Sequence, residues 1–260
     1  MIFIDTHAHL YLEEFRTDSG EVINRSVDNG VKYMMLPNID ASSVDNMHLL
    51  CDRFPDNCFP MMGIHPTSVK ENYKEELDII EKHMMNRTYI AVGEIGIDLY
   101  WDKTHLREQE EAFRFQLDLA NEYQLPVAIH SRNSLEIIIK ILTEYKNKDI
   151  RGVFHCFPGS VEQSKKVINS GYFIGIGGVV TYNRSTMAEV AANIPLEYIV
   201  LETDAPFLTP YPYRGKRNES AFIVNIAEKI AGLRNIPIDE VALVTTQNAI
   251  NLFKMNHLQT

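Results

Sequence analysis

Short apolar runs and longer stretches of helical period take turns along the whole chain, and this change of period is its plainest feature. Ile2, Phe3 and Ile4 begin as a strand, and Gly20 to Asn29 follows as a short helix closed by Gly30. Val31 to Leu36 is a second apolar strand stopped by Pro37, and Ala41 to Phe54 is helical. Cys58 to Gly63 is a third strand that runs into Ile64-His65-Pro66. Lys74 to Met85 is helical again. Tyr89 to Val92 is a fourth strand, leading into Gly93-Glu94-Ile95-Gly96.

The clearest helix is His105 to Tyr123, where Phe113, Leu117, Ala120 and Tyr123 recur on one face and Glu110 precedes Arg114 by one turn. Leu125 to Ile129 is apolar throughout, as a strand buried on both faces should be, and it ends at His130. Asn133 to Tyr145 reads as its helix, with Asn133 able to cap it. Gly152 to Phe154 is a sixth strand ending at His155, followed by a helix over Ser160 to Asn169 that Gly171 stops. Tyr172 to Ile176 and Tyr198 to Leu201 are the seventh and eighth strands, and Glu219 to Gly232 and Ile238 to Phe253 the closing helices. Eight strands separated by helices predict an α/β fold, a (β/α)8 TIM barrel in one domain over residues 1–260, with a doubly wound open sheet as the alternative. The longest irregular piece, Pro206 to Arg217, follows the last strand, on the rim where barrels carry their chemistry.

Composition changes this picture little. With 45% hydrophobic and 23% charged residues the chain is an ordinary globular one, and no apolar run is long enough to span a bilayer. It reads as cytoplasmic, with no membrane and no obligate protein partner expected. Cys51, Cys58 and Cys156 are an odd number without Cys-x-x-Cys spacing, which indicates neither a disulfide framework nor a structural zinc site. The net charge of −10 argues against a protein that coats nucleic acid by bulk electrostatics, but it leaves open an enzyme acting on an anionic substrate.

The candidate chemistry lies at strand ends. In Asp5-Thr6-His7-Ala8-His9 alternate side chains share a face, so two imidazoles leave the first strand together. Glu94 follows strand four, His130 strand five, His155 strand six and Asp204 strand eight, at intervals near three, one, one and two βα units of roughly 30 residues. Six nitrogen and oxygen ligands exceed one tetrahedral zinc and suit two divalent ions sharing a carboxylate. His7, His9 and Asp204 are assigned to one ion, His130 and His155 to the other, and Glu94 to both. Zn, Mn, Ni, Fe or Co fits such ligands, and Mg is admitted by carboxylates and waters. The expected reaction is attack by a hydroxide that the ions activate, with Asp204 also accepting a proton. His65 would be a seventh ligand and is read as an outer partner or a substrate phosphate contact. Arg132, Arg214, Lys216 and Arg217 are cations near the same rim, suited to phosphate.

The blocks DTHAHL, GIHP, VGEIGID, LPVAIHSR, GVFHCFPG, LETDAPFL and PYRGKRNE resemble the TatD-type metal-dependent deoxyribonucleases, from Asp5 to Glu219. The resemblance implies a barrel with a two-metal site at His7, His9, Glu94, His130, His155 and Asp204. It also implies hydrolysis of DNA phosphodiesters, in several members as a 3′-to-5′ exonuclease, so the expected partner is DNA, single-stranded or at ends. Asn133 stands where the family usually has an acidic residue, and Leu99-Tyr100-Trp101 replaces a more usual aromatic pair. Competing readings are a hydrolase of carboxylic esters, lactones or aminoacyl esters on the same scaffold, and a catalytically silent metal-binding module.

Overall fold

A computed structural model describes residues 1–183 and 185–255. Eight parallel strands pair in chain order: β1 Phe3–Asp5, β2 Val31–Pro37, β3 Cys58–Met62, β4 Ala91–Asp98, β5 Val127–Arg132, β6 Gly152–Phe154, β7 Phe173–Ile176 and β8 Ile199–Leu201. Helices cross between them: α1 Ser19–Asp28, α2 Val44–Arg53, α3 Tyr73–Asn86, α4 Leu106–Glu122, α5 Leu135–Glu144, α6 Val161–Asn169, α7 Met187–Asn193, α8 Ile223–Arg234 and α9 Ile238–Leu252. The sheet curls until its first and last strands meet. Thr6 donates its backbone N–H and its hydroxyl to the Leu201 carbonyl at 3.0 and 2.9 Å. Above that, Asp204 N–H donates to the His7 carbonyl at 2.8 Å and His9 N–H to the Ala205 carbonyl at 2.7 Å. The TIM barrel expected from the pattern is therefore present, and an open sheet is not.

Two apolar cores lie on the two faces of the sheet. The larger fills the space between strands and helices, where the buried stripes of the helices, such as Phe113 and Leu117 on α4, cover the outward strand residues. The smaller contains Ile4, Met35, Met61, Ala128, Val153 and Val200 from the strands, with Phe253 and Met255 following α9. Among the described residues no helix is long and apolar enough to cross a membrane.

Several elements depart from the sequence pattern. The fourth strand expected over Tyr89 to Val92 does not stop there: β4 continues through Gly93-Glu94-Ile95-Gly96 to Asp98, and Gly96, Ile97 and Asp98 pair with His130, Ser131 and Arg132. Strand β5 likewise runs past His130 to Arg132. Glu94 and His130 thus stand inside strands rather than after them. Helix α7 has no counterpart in the sequence reading, because Ala-rich Met187–Asn193 carries too few large apolar residues to display a period. Ser134, not Asn133, occupies the N-cap of α5; its hydroxyl donates to the Ile97 carbonyl at 2.5 Å, while Asn133 sits at a φ of +58°.

Gly96 adopts a φ of +140°, and a Cβ there would lie 2.0 Å from the His130 carbonyl oxygen. No side chain fits. Gly96→Ala should therefore lower the midpoint of thermal unfolding by roughly 6 °C or more, the response of a chain this size to about 3 kcal/mol. Gly232→Ala, in α8 with open space around its Cβ position, should leave the midpoint unchanged or raise it slightly. Differential scanning calorimetry of the two variants decides between these outcomes.

Candidate metal centre

The closing seam of the barrel assembles one side of the site. Because His7 and Asp204 exchange backbone contact across it, the residues of β1 and β8 that leave the sheet carry His7, His9 and Asp204 to one point. His7 Nε2 lies 3.2 Å from His9 Nε2, and Asp204 Oδ1 lies 3.6 Å from His9 Nε2 and 3.9 Å from His7 Nε2. Asp5 holds the seam beneath them. Its buried carboxylate accepts from Thr203 N–H at 2.9 Å and from the Thr203 hydroxyl at 2.5 Å, and burial raises its pKa to about 7.

Glu94 is the centre of the other side. Its Oε2 lies 3.1 Å from His7 and 3.5 Å from His9, while its Oε1 lies 2.9 Å from His130 Nδ1, 3.4 Å from His65 and 3.9 Å from His155. The two oxygens thus face two separate sets of imidazoles. Burial opposes the charge on Glu94, yet the surrounding histidines, His65 and His7 foremost, hold its pKa well below the carboxylate range. Asp204 is likewise held low, chiefly by His155, against the effect of burial. The imidazoles divide their protons. Burial and the nearby His155 push His7 down to about 4, so it is neutral. Burial also opposes charge on His9 and His155, but carboxylates outweigh it: Asp204 and Glu94 bring His9 to about 9, and Glu202, Asp204 and Glu94 bring His155 to about 10.

Outer carboxylates orient two of these rings. His130 Nε2 lies 2.8 Å from Asp98, and His155 Nδ1 lies 3.0 Å from Glu202, whose second oxygen accepts from Cys156 N–H at 2.6 Å. Gly175 on β7 makes room for Glu202, since a Cβ there would lie 2.5 Å from its carboxylate. Neither Asp98 nor Glu202 figures among the candidate residues read from the sequence. For Asp98 the signal was present, because alternation along β4 puts it on the face of Glu94, whereas Glu202 lies past the end of β8.

Ligand atoms gather into overlapping groups: His7, His9 and Glu94; His7, His155 and Asp204; and His65, Glu94 and His130, each within 4.8 Å. Imidazole nitrogens facing one another among buried carboxylates form a donor set that suits a divalent cation, so the residues present fit a metal. His65 stands closer to this centre than an outer role requires, with Nε2 3.3 Å from His130.

A cavity of about 1150 Å³ opens above the centre, lined by His9, His65, Glu94, His130, His155 and Asp204. Arg132 and Arg214 also line it. Lys216 and Arg217 do not, which corrects the reading of the whole basic run as cations of the rim. Arg217 turns away to Asp18, at 2.8 and 2.6 Å, with its guanidinium over Phe15; Lys216 Nζ lies 5.8 Å from the Tyr213 ring. In an acidic protein a nearby carboxylate captures a flexible cation more readily than an open cleft does. Cys156 is half-buried and also lines the cavity, with its thiol pushed well above the ordinary range by burial first and by Glu202 next.

The TatD-related DNase family model matches residues 4–254. The chain belongs to that family. Its relatives include the uncharacterized metal-dependent hydrolase YabD of Bacillus subtilis (strain 168), 37% identical over 257 residues, covering 98% of this chain and 100% of the relative. YcfH of Escherichia coli (strain K12), also an uncharacterized metal-dependent hydrolase, is 30% identical over 261 residues, with 98% and 97% covered. Among solved structures, YjjV, a TatD homologue from Escherichia coli K12, superposes with a TM-score of 0.91 at 30% identity over 97% of this chain and 98% of that one. This TatD-family chain is thus a metal-dependent hydrolase by family.

Two measurements follow from the electrostatics. Protons on His9 and His155 must leave when a cation binds, so titration calorimetry with Zn²⁺ or Mn²⁺ in buffers of different ionisation enthalpy should show net proton release. Apparent affinity should fall as pH drops from 8 to 6. Glu202→Gln, which removes the partner of His155, should weaken divalent-ion binding by about 10- to 100-fold in chelator competition while circular dichroism stays unchanged.

Proposed function

We propose that this chain hydrolyses phosphodiester bonds of DNA, at single-stranded segments or ends. The observation that carries the reading is Glu94, whose two oxygens face separate imidazole sets at the floor of a cavity rimmed by guanidinium groups. His7, His9 and Asp204 would hold one divalent ion, His130 and His155 a second, with Glu94 shared and His65 beside it. Ions held there would supply Lewis acidity for activating water and neutralising phosphoryl charge.

The chain's own groups do the rest. Asp204 is the more open of the central carboxylates, 14% exposed at its side chain against 3% for Glu94, and accepts a proton from water entering the cavity. Asp98 and Glu202 fix the rings of His130 and His155. Arg132 and Arg214 meet phosphate oxygens, a role that the planar guanidinium fork suits. The family's description as a DNase supports a phosphodiester over a carboxylic ester.

The test is a substrate panel. Protein stripped with a chelator should be inactive on single-stranded DNA and on bis(p-nitrophenyl) phosphate, and Mn²⁺, Mg²⁺ or Zn²⁺ should restore both activities. Asp204→Asn should retain metal while kcat falls by about 10²- to 10⁴-fold. Metal-restored hydrolysis of a lactone, with neither phosphodiester cut, would move the reading to the carboxylic esters.

A further inference from the structure

Two arginines at the cavity mouth each lie against a pair of aromatic rings, on opposite walls. The Arg132 guanidinium carbon lies 3.7 Å from the centroid of the Tyr100 ring and 5.4 Å from that of Trp101. Across the barrel, that of Arg214 lies 4.2 Å from the Tyr182 ring and 5.8 Å from that of Tyr211. The first group follows β4 and ends β5; the second follows β7 and β8. Strands β4 and β8 are half a turn apart around the ring, so the metal centre lies between the two groups.

Their exposure calls for a reason. Trp101 is 70% exposed and Tyr211 44% exposed, and both line the cavity. Among the described residues neither Arg132 nor Arg214 has an ion pair, whereas Arg25, Arg87, Arg114 and Arg217 are each held by a carboxylate. In a chain of net charge −10, two guanidinium groups without a carboxylate are available to an anionic ligand. The β7–β8 wall is also braced before any ligand arrives. The Tyr182 hydroxyl donates to the Thr209 carbonyl at 3.0 Å, and Tyr211 N–H donates to the Thr181 hydroxyl at 3.0 Å.

We infer that these are two base-stacking clamps, which hold unpaired nucleobases on both sides of the reacting phosphate, with Trp101 and Tyr211 as the stacking residues. The inference rests on the nucleic-acid reading of the site. A guanidinium held over a ring has N–H groups to offer a phosphate oxygen, while the open ring face takes a base. Every base has a π-face, so such clamps select a strand without selecting a sequence. A base inside a duplex already has both faces covered by its neighbours, which makes duplex the poorer ligand.

Trp101 is the only tryptophan in the sequence, so its fluorescence reports on one clamp alone. Metal-loaded protein is titrated with phosphorothioate-linked octathymidylate, which resists hydrolysis, and with a strand of equal length whose central nucleotides lack bases. Octathymidylate should quench Trp101, and the strand lacking bases should quench it far less at equal occupancy by anisotropy. Trp101→Ala and Tyr211→Ala should each raise KM for single-stranded DNA by about 5- to 150-fold relative to bis(p-nitrophenyl) phosphate, which is too small to span the clamps. Trp101→Phe should recover most of that loss. Equal quenching by both strands, or unchanged KM ratios in both variants, overturns the clamps even if DNA is cut. Base-dependent quenching by a protein that cuts neither phosphodiester would instead overturn the hydrolytic reading and leave the clamps standing.

Discussion

Everything at the rim depends on one buried carboxylate shared among imidazoles. An isolated carboxylate as buried as Glu94 would take up a proton rather than stay charged. Here five histidine rings lie within 3.9 Å of its oxygens and keep it ionised. Those rings in turn need orientation and partial neutralisation, which Asp98, Glu202 and Asp204 supply. The result is a closed exchange of charge among buried carboxylates and imidazoles. Such a cluster is ready to trade protons for a cation, which is the property a metal-dependent hydrolase requires.

The scaffold carries this cluster because its strands supply alternating faces and its seam supplies proximity. Outward residues build the larger core against the helices, and inward residues fill the barrel below the site. Only at the rim does the inward face turn polar. The transition comes within two residues, from Ala128 to His130 on β5 and from Val153 to His155 at the end of β6.

Much of this was legible in the sequence. The rhythm of apolar runs and helical stretches gave the barrel and the order of its strands, because each strand is buried on both faces and stands out as an apolar block. The rim histidines were visible because they end those blocks. What stayed hidden depended on contacts across the fold. Gly96 looks like a turn residue until the His130 carbonyl is seen against it, and so β4 was read as stopping at Val92. Arg217 looks like a rim cation until Asp18, distant in the chain, is seen to hold it. Asp98 carried a strand-parity signal that was outweighed by more conspicuous histidines, and Glu202 meets His155 only across the fold.

The seam has a consequence for how the protein comes into being. His7 and His9 follow the first strand and Asp204 the last, and the hydrogen bonds across the seam bring them together. A chain emerging from the ribosome therefore presents two histidines early, gains Glu94 only with β4, and waits for nearly all the remaining strands before Asp204 exists. Until the ring closes, the nascent polypeptide holds scattered, weak ligands and no hydrolytic centre. The complete set of ligands thus exists only once the fold itself is complete.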